Sequence, residues 1–218
     1  MRFLGVLVIA FSLLLCGLYA EESGGVYFLM GAAMPTIENL NSRLDSYGYA
    51  EIPNQFISYG FGVHFTVKER VLLGFEWATM SSKEKTSDDG TVKEYITSSS
   101  WFVDLGYIIV SVAGFNVYPY VGIGSGEMIL TLSEVEVPAF DNILEGPTGI
   151  TRLSTGGFLL NPSLGLEYNF NNIKVGLRGG YTFDPFVGKW KIEDSEVSGG
   201  PDEGMTGPYV NILLGFGS

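Results

Sequence analysis

Hydrophobic and polar residues alternate along most of this chain, and the alternation is cleanest over 157–183. Phe158, Leu160, Pro162, Leu164, Leu166, Tyr168 and Phe170 fall on one face, with Gly157, Asn161, Ser163, Gly165, Glu167 and Asn169 among the residues of the other. A period of two marks strands with different surroundings on their two sides. After Asn171 and Asn172 the pattern resumes, Ile173, Val175, Leu177, Tyr181 and Phe183 opposing Lys174, Gly176, Arg178 and Thr182. Asparagine tolerates positive φ, so this pair predicts a two-residue hairpin turn with Phe170 opposite Ile173. That register sets Glu167 against Gly176, with Lys174 and Arg178 as diagonal neighbours, and Arg178 against Gly165.

The same pattern recurs. Strands are predicted over 24–34 and 55–67, then from Val71 through Trp77. Pairing Val67 with Val71 around the turn 68–70 puts His64 against Gly74 and Glu76 against Gly62. A strand follows over 95–110, with Asp104 on its polar face and Phe102 and Ile108 as apolar exceptions there. Others are predicted over 117–132 and 210–216, which makes eight. The connections 35–54, 81–94, 133–154 and 184–206 are long and polar or charged, the first read as without regular structure, whereas 68–70, 111–116 and 171–172 are short. In an up-and-down antiparallel sheet all four long loops share one rim, and the three turns share the other with both termini. Prolines 119, 162 and 208 interrupt strand patterns. Pro162, well inside its strand, predicts a bulge or a shifted register.

Alternation does not say which face is inside, but volume does. Eight strands enclose only enough space for side chains to fill, and the Phe, Trp, Tyr, Leu and Ile faces together are too bulky for it. Glycine, serine and asparagine with a few charges do fit. The apolar face is therefore expected to meet lipid, on strands of the roughly 9–11 residues that cross an outer membrane. Aromatic residues end the stripes as girdles do, Tyr59, Trp77, Tyr181 and Phe183 at the long-loop rim and Phe65, Tyr107, Tyr168, Phe170 and Phe216 at the turn rim.

Composition adds a compartment. Arg2, an apolar run to Leu15 and the small-residue end at Ala20 read as a secretory signal peptide over 1–20. The rest, 21–218, reads as one barrel domain. Removing the signal takes away the sole cysteine, Cys16, and leaves 11 basic against 24 acidic residues, a net charge of −13. Strong acidity excludes a nucleic-acid role, which wants the opposite sign.

The leader, eight alternating strands, four long loops and three tight turns resemble the small outer-membrane β-barrels of the outer membrane protein A transmembrane-domain and outer membrane protein X type. The resemblance is architectural and covers 24–218. It implies the bacterial outer membrane, a monomer in contact with outer-membrane lipids, lipopolysaccharide-like lipids included, and surface ligands met through the acidic loops. It implies no cofactor. Such barrels usually end on an aromatic residue, and here Phe216 stands third from the end.

Glu76, Asp104, Glu167, Lys174 and Arg178 are read as a lumen ion-pair network, structural or pore-lining, because buried charge is costly unless paired. His64 is read as a polar lumen residue. No metal-ligand spacing is present in the acidic loops. Three functions follow: a non-enzymatic barrel with a structural, adhesive or narrow-pore role; a lipid-modifying acyl hydrolase or transferase using His64; and a soluble barrel closing its apolar face on a ligand.

Overall fold

A computed structural model describes residues 24–135 and 149–217. The signal-peptide reading over 1–20 and most of the acidic connection 133–154 lie outside the described residues.

Eight long antiparallel strands close on themselves. They are β1 (Gly24–Ala33), β2 (Phe56–Val67), β3 (Val71–Ser81), β4 (Val92–Tyr107), β5 (Phe115–Glu134), β6 (Ile150–Phe170), β7 (Ile173–Thr182) and β8 (Gly207–Gly217). Each pairs with the next, and β8 pairs with β1 through Gly25 to Ala33, so the sheet has no free edge along these strands. Closure satisfies backbone groups by pairing between strands, a requirement wherever lipid replaces water. Val67 pairs with Val71, His64 with Gly74, Glu76 with Gly62, Glu167 with Gly176, and Phe170 with Ile173. Lys68 and Glu69 take left-handed φ of 51° and 64° in their turn, and Asn171 takes 54° in its own.

Volume decides the two faces as expected. Phe28 is 62% exposed, Phe61 49% and Leu166 44%, all on the outer wall, which overturns the reading of a soluble barrel with these faces turned inward. Phe75 shares that wall by register, between Val63 and Val103, yet is only 7% exposed. Inside, tyrosines occupy the hollows that glycines leave. Tyr27 pairs with Gly62 and Tyr118 with Gly165, and at either glycine a Cβ would lie 2.3 Å from the tyrosine ring.

Pro162 makes no bulge. The β5–β6 register runs unbroken through Val121 and Pro162, and the β6–β7 register is the same at Ser163–Gly180 as at Leu160–Phe183. Leu160 donates its N–H to Phe183, so the N–H missing two residues on is one that would have pointed at β7. The proline thus removes one rung and leaves the register intact.

The long-loop rim departs most from expectation. Residues 35–54 hold a helix, α1 (Glu38–Ser46). Strands β4, β5 and β6 continue past the apolar band, and short ladders fold the connections 81–94 and 184–206: Lys85–Thr86 on β4, and Lys191–Ile192 against both β6 and Ser195–Glu196. On the turn side, Val110–Val112 pairs back onto β5, so β4 itself ends at Tyr107. Together the upper segments enclose a second apolar core. Ile37, Leu40 and Leu44 of α1 and its approach meet Ile52, Phe56, Ile96, Met128, Leu130, Trp190 and Met205, all buried. Several acidic residues there are structural. Glu203 is buried and accepts the backbone N–H groups of Asn39 and Leu40 at 2.7 Å each, capping α1 from a distant loop.

Candidate functional site

The lumen is divided into layers, and the polar residues singled out from the sequence lie in two of them. In the middle layer Arg178, on β7, forms an ion pair with Glu76, on β3. These strands are four apart in a ring of eight, so the pair spans the barrel from wall to opposite wall. Tyr27 donates its hydroxyl to the same Glu76 Oε2 at 3.0 Å. The guanidinium stacks 4.4 Å from the Tyr120 ring centroid and 5.2 Å from that of Tyr27. Arginine suits this position because its planar, weakly hydrated cation both pairs and stacks. Only 1% of Arg178 is exposed, and Nε and Nη2 have no hydrogen-bond partner in the described structure. Asp104 is buried in the same region, its Oδ2 also unpartnered.

Below, toward the turns, His64 Nε2 lies 3.8 Å from Glu167 Oε2, both buried. The His64 ring sits 5.4 Å from that of Tyr27. Lys174 is buried here as well, and with His64, Glu167 and Tyr118 it lines a polar cavity of about 230 Å³ at the turn-side rim. That volume suits a group of waters. Lys174 makes no ion pair within 4.0 Å among the described residues. Ser111 borders the same cavity from the exposed turn, and no serine hydrogen-bonds to His64 among the described residues.

Above the Arg178 layer lies a void of about 40 Å³, lined by Ser58, Glu76, Ser100, Asn161, Tyr209 and Asn211 among others. Ser58 bonds Asn211 at 3.1 Å, and Tyr209 bonds Asn161 at 2.8 Å. Phe102 and Leu159 then join the buried core beneath α1.

Register on adjacent strands placed Arg178 beside Glu167, whereas the structure has it reach Glu76 instead. The charged set is thus brought together as two groups, Arg178 with Glu76 near Asp104, and His64 with Glu167 near Lys174. Three lumen tyrosines, Tyr27, Tyr118 and Tyr120, were not singled out. Their signal was available, since each falls opposite a glycine once the strands are paired: Gly62, Gly165 and Gly106.

No protein-family model and no curated protein matches this sequence. Solved structures do match. Ail, the attachment invasion locus protein of Yersinia pestis, in complex with the heparin analogue sucrose octasulfate, aligns over 91% of this chain and 100% of its own, with a TM-score of 0.55 and 9% identity. A major outer membrane protein from Thermus thermophilus aligns equally, at 0.55 and 9% identity over 91% and 100%. The fold is that of the small outer-membrane β-barrels. At this identity the likeness concerns fold alone, so the activity of this outer-membrane-type barrel has to be argued from its own residues.

Proposed function

We propose that this chain is a monomeric bacterial outer-membrane barrel, exported by a signal peptide at 1–20, whose sealed lumen supports a folded platform at the cell surface. The observation that carries this reading is the pairing of an apolar outer wall with an interior closed twice. Arg178, Glu76, Tyr27 and Tyr120 fill its cross-section, and the core around Leu40, Leu44 and Trp190 closes the long-loop end. An eight-stranded interior has room for side chains and little else. A surface role for the loops agrees with their acidity and with the folding of the described ones, and Ail, the attachment invasion locus protein, shares this architecture. Enzymatic acyl transfer finds less support: His64 lies at the turn-side rim, whereas a substrate acyl chain presented with surface lipids would arrive at the other.

The test is a planar-bilayer recording on refolded protein with heat-modifiable gel mobility. The wild type should pass negligible current, and so should Glu76→Ala together with Arg178→Ala, because the core around Leu40, Leu44 and Trp190 still closes the long-loop end. A steady porin-like current through the wild type would defeat the sealed-lumen reading. Recovery of the native protein outside the outer-membrane fraction would defeat the location.

A further inference from the structure

A groove of about 630 Å³ runs along the outer wall where β3, β4, β5 and β6 leave the apolar band. Trp77 and Trp101, cross-strand partners, form its membrane-side floor. Beyond them the wall changes character within two residues. Trp101 pairs with Ser125, and Ser99 with Glu127, so the surface passes from indole to hydroxyl to carboxylate. The opposite border is the connection 183–206, held against β6 where Thr155 donates to the Gly188 carbonyl at 2.6 Å and Lys191 pairs with Ser154.

The charges of this groove are balanced, unlike those of the acidic chain around it. Lys189 and Glu196 pair with each other at 2.8 Å. Lys191, which stands opposite Glu196 on the short ladder and shares its field without an ion pair within 4.0 Å, and Glu127, which enters none of the ion pairs among the described residues, also line the groove. An occupant must therefore be apolar past the tryptophans and carry both a negative and a positive group above them. Tryptophan itself prefers the boundary between hydrocarbon and headgroups, and the volume is that of a small-ligand site rather than of a protein interface.

We propose that this groove binds the headgroup of a zwitterionic phospholipid, its phosphate toward Lys191, its primary amine toward Glu127, and its acyl chains descending past Trp77 and Trp101. The inference rests on the membrane reading above. A primary amine donates hydrogen bonds to Glu127, whereas a choline headgroup has no N–H to give and a glycerol headgroup no positive charge.

The protein, refolded into bilayers of equal parts phosphatidylethanolamine, phosphatidylcholine and phosphatidylglycerol, is released into mild detergent and weighed by native mass spectrometry. One phosphatidylethanolamine should be retained per barrel, about fivefold over either competitor, the scale of one partly exposed charge pair. Glu127→Gln should bring phosphatidylethanolamine down to the level of phosphatidylglycerol, while Lys191→Gln should weaken both. Each variant is first checked for heat-modifiable mobility. Equal retention of all three lipids by inserted protein would overturn the groove and leave the membrane reading standing. Preferred phosphatidylglycerol would overturn the zwitterionic assignment. Failure of the wild type to insert would overturn both.

Discussion

At the scale of single residues, interior packing depends on glycines as much as on the groups they face. A side chain at position 62 has no room, because Tyr27 lies across the site with its Cζ 2.3 Å and its hydroxyl 2.4 Å from where a Cβ would stand. Tyr27 cannot simply swing away, since its hydroxyl bonds Glu76 and its ring backs Arg178. Gly62→Ala should therefore cost about 1–3 kcal/mol, the usual range for overpacking, measured as a fall in the urea midpoint for unfolding in lipid vesicles. Tyr27→Leu in the same chain should recover part of that loss. An undiminished midpoint in Gly62→Ala would show that the ring relocates freely. This contact was within reach of the sequence, because Tyr27 and Gly62 become neighbours as soon as β1 and β2 are registered. The Arg178–Glu76 pair was not, since no local rule relates strands on opposite sides of a ring.

At the scale of elements, α1 shows how a helix is missed when its surroundings read as loop. Ile37, Leu40 and Leu44 recur at spacings of three and four, the helical period. Asn, Ser, Asp and Tyr around them, with Pro35 and Pro53 outside, argued for irregular structure. What holds the helix is remote: Glu203 supplies the carboxylate that its first N–H groups lack locally. Losing both charge-assisted bonds in Glu203→Ala should cost about 1–2 kcal/mol of helix stability. Hydrogen exchange over 38–46 should accelerate accordingly while protection in β1 and β8 stays constant. Unchanged exchange in α1 would mean that the apolar core alone holds it. Pro162 carries the complementary lesson, because a proline in a registered barrel strand removes one rung without shifting the register.

At the scale of the whole molecule, the barrel and the platform built by its long connections are joined through cores of opposite character, and the platform should respond to pH. Glu94 lies well above the tryptophan edge of the apolar band, fully buried, and accepts the backbone N–H of Ala50. Burial raises its pKa, that N–H offsets part of the rise, and the nearby Asp88 and Asp89 carboxylates add to it. A carboxyl group raised in the folded state binds its proton more tightly there than in the unfolded chain. The platform therefore gains stability as pH falls through the raised value, and the gain is complete below the ordinary glutamate value. Exchange protection around Ala50 and Ile96, corrected for intrinsic rates, should increase from neutral to mildly acidic conditions. Glu94→Gln should flatten that dependence. A protection that declines on acidification in the wild type would contradict the sign.

Strand number, pairing order, turn positions and the sorting of two faces were all determined by the sequence itself. Period-two alternation and turn chemistry act between neighbours, and the small volume inside eight strands leaves the bulky face only one side to occupy. Tertiary structure decided the rest. It chose Glu76 rather than Glu167 for Arg178, turned acidic loops into a helix-bearing platform with its own core, and set Trp77, Trp101, Glu127 and Lys191 around one groove. Those outcomes join residues from strands and loops that are not neighbours in the chain, so they exist only once the sheet has closed and its upper ends have folded together.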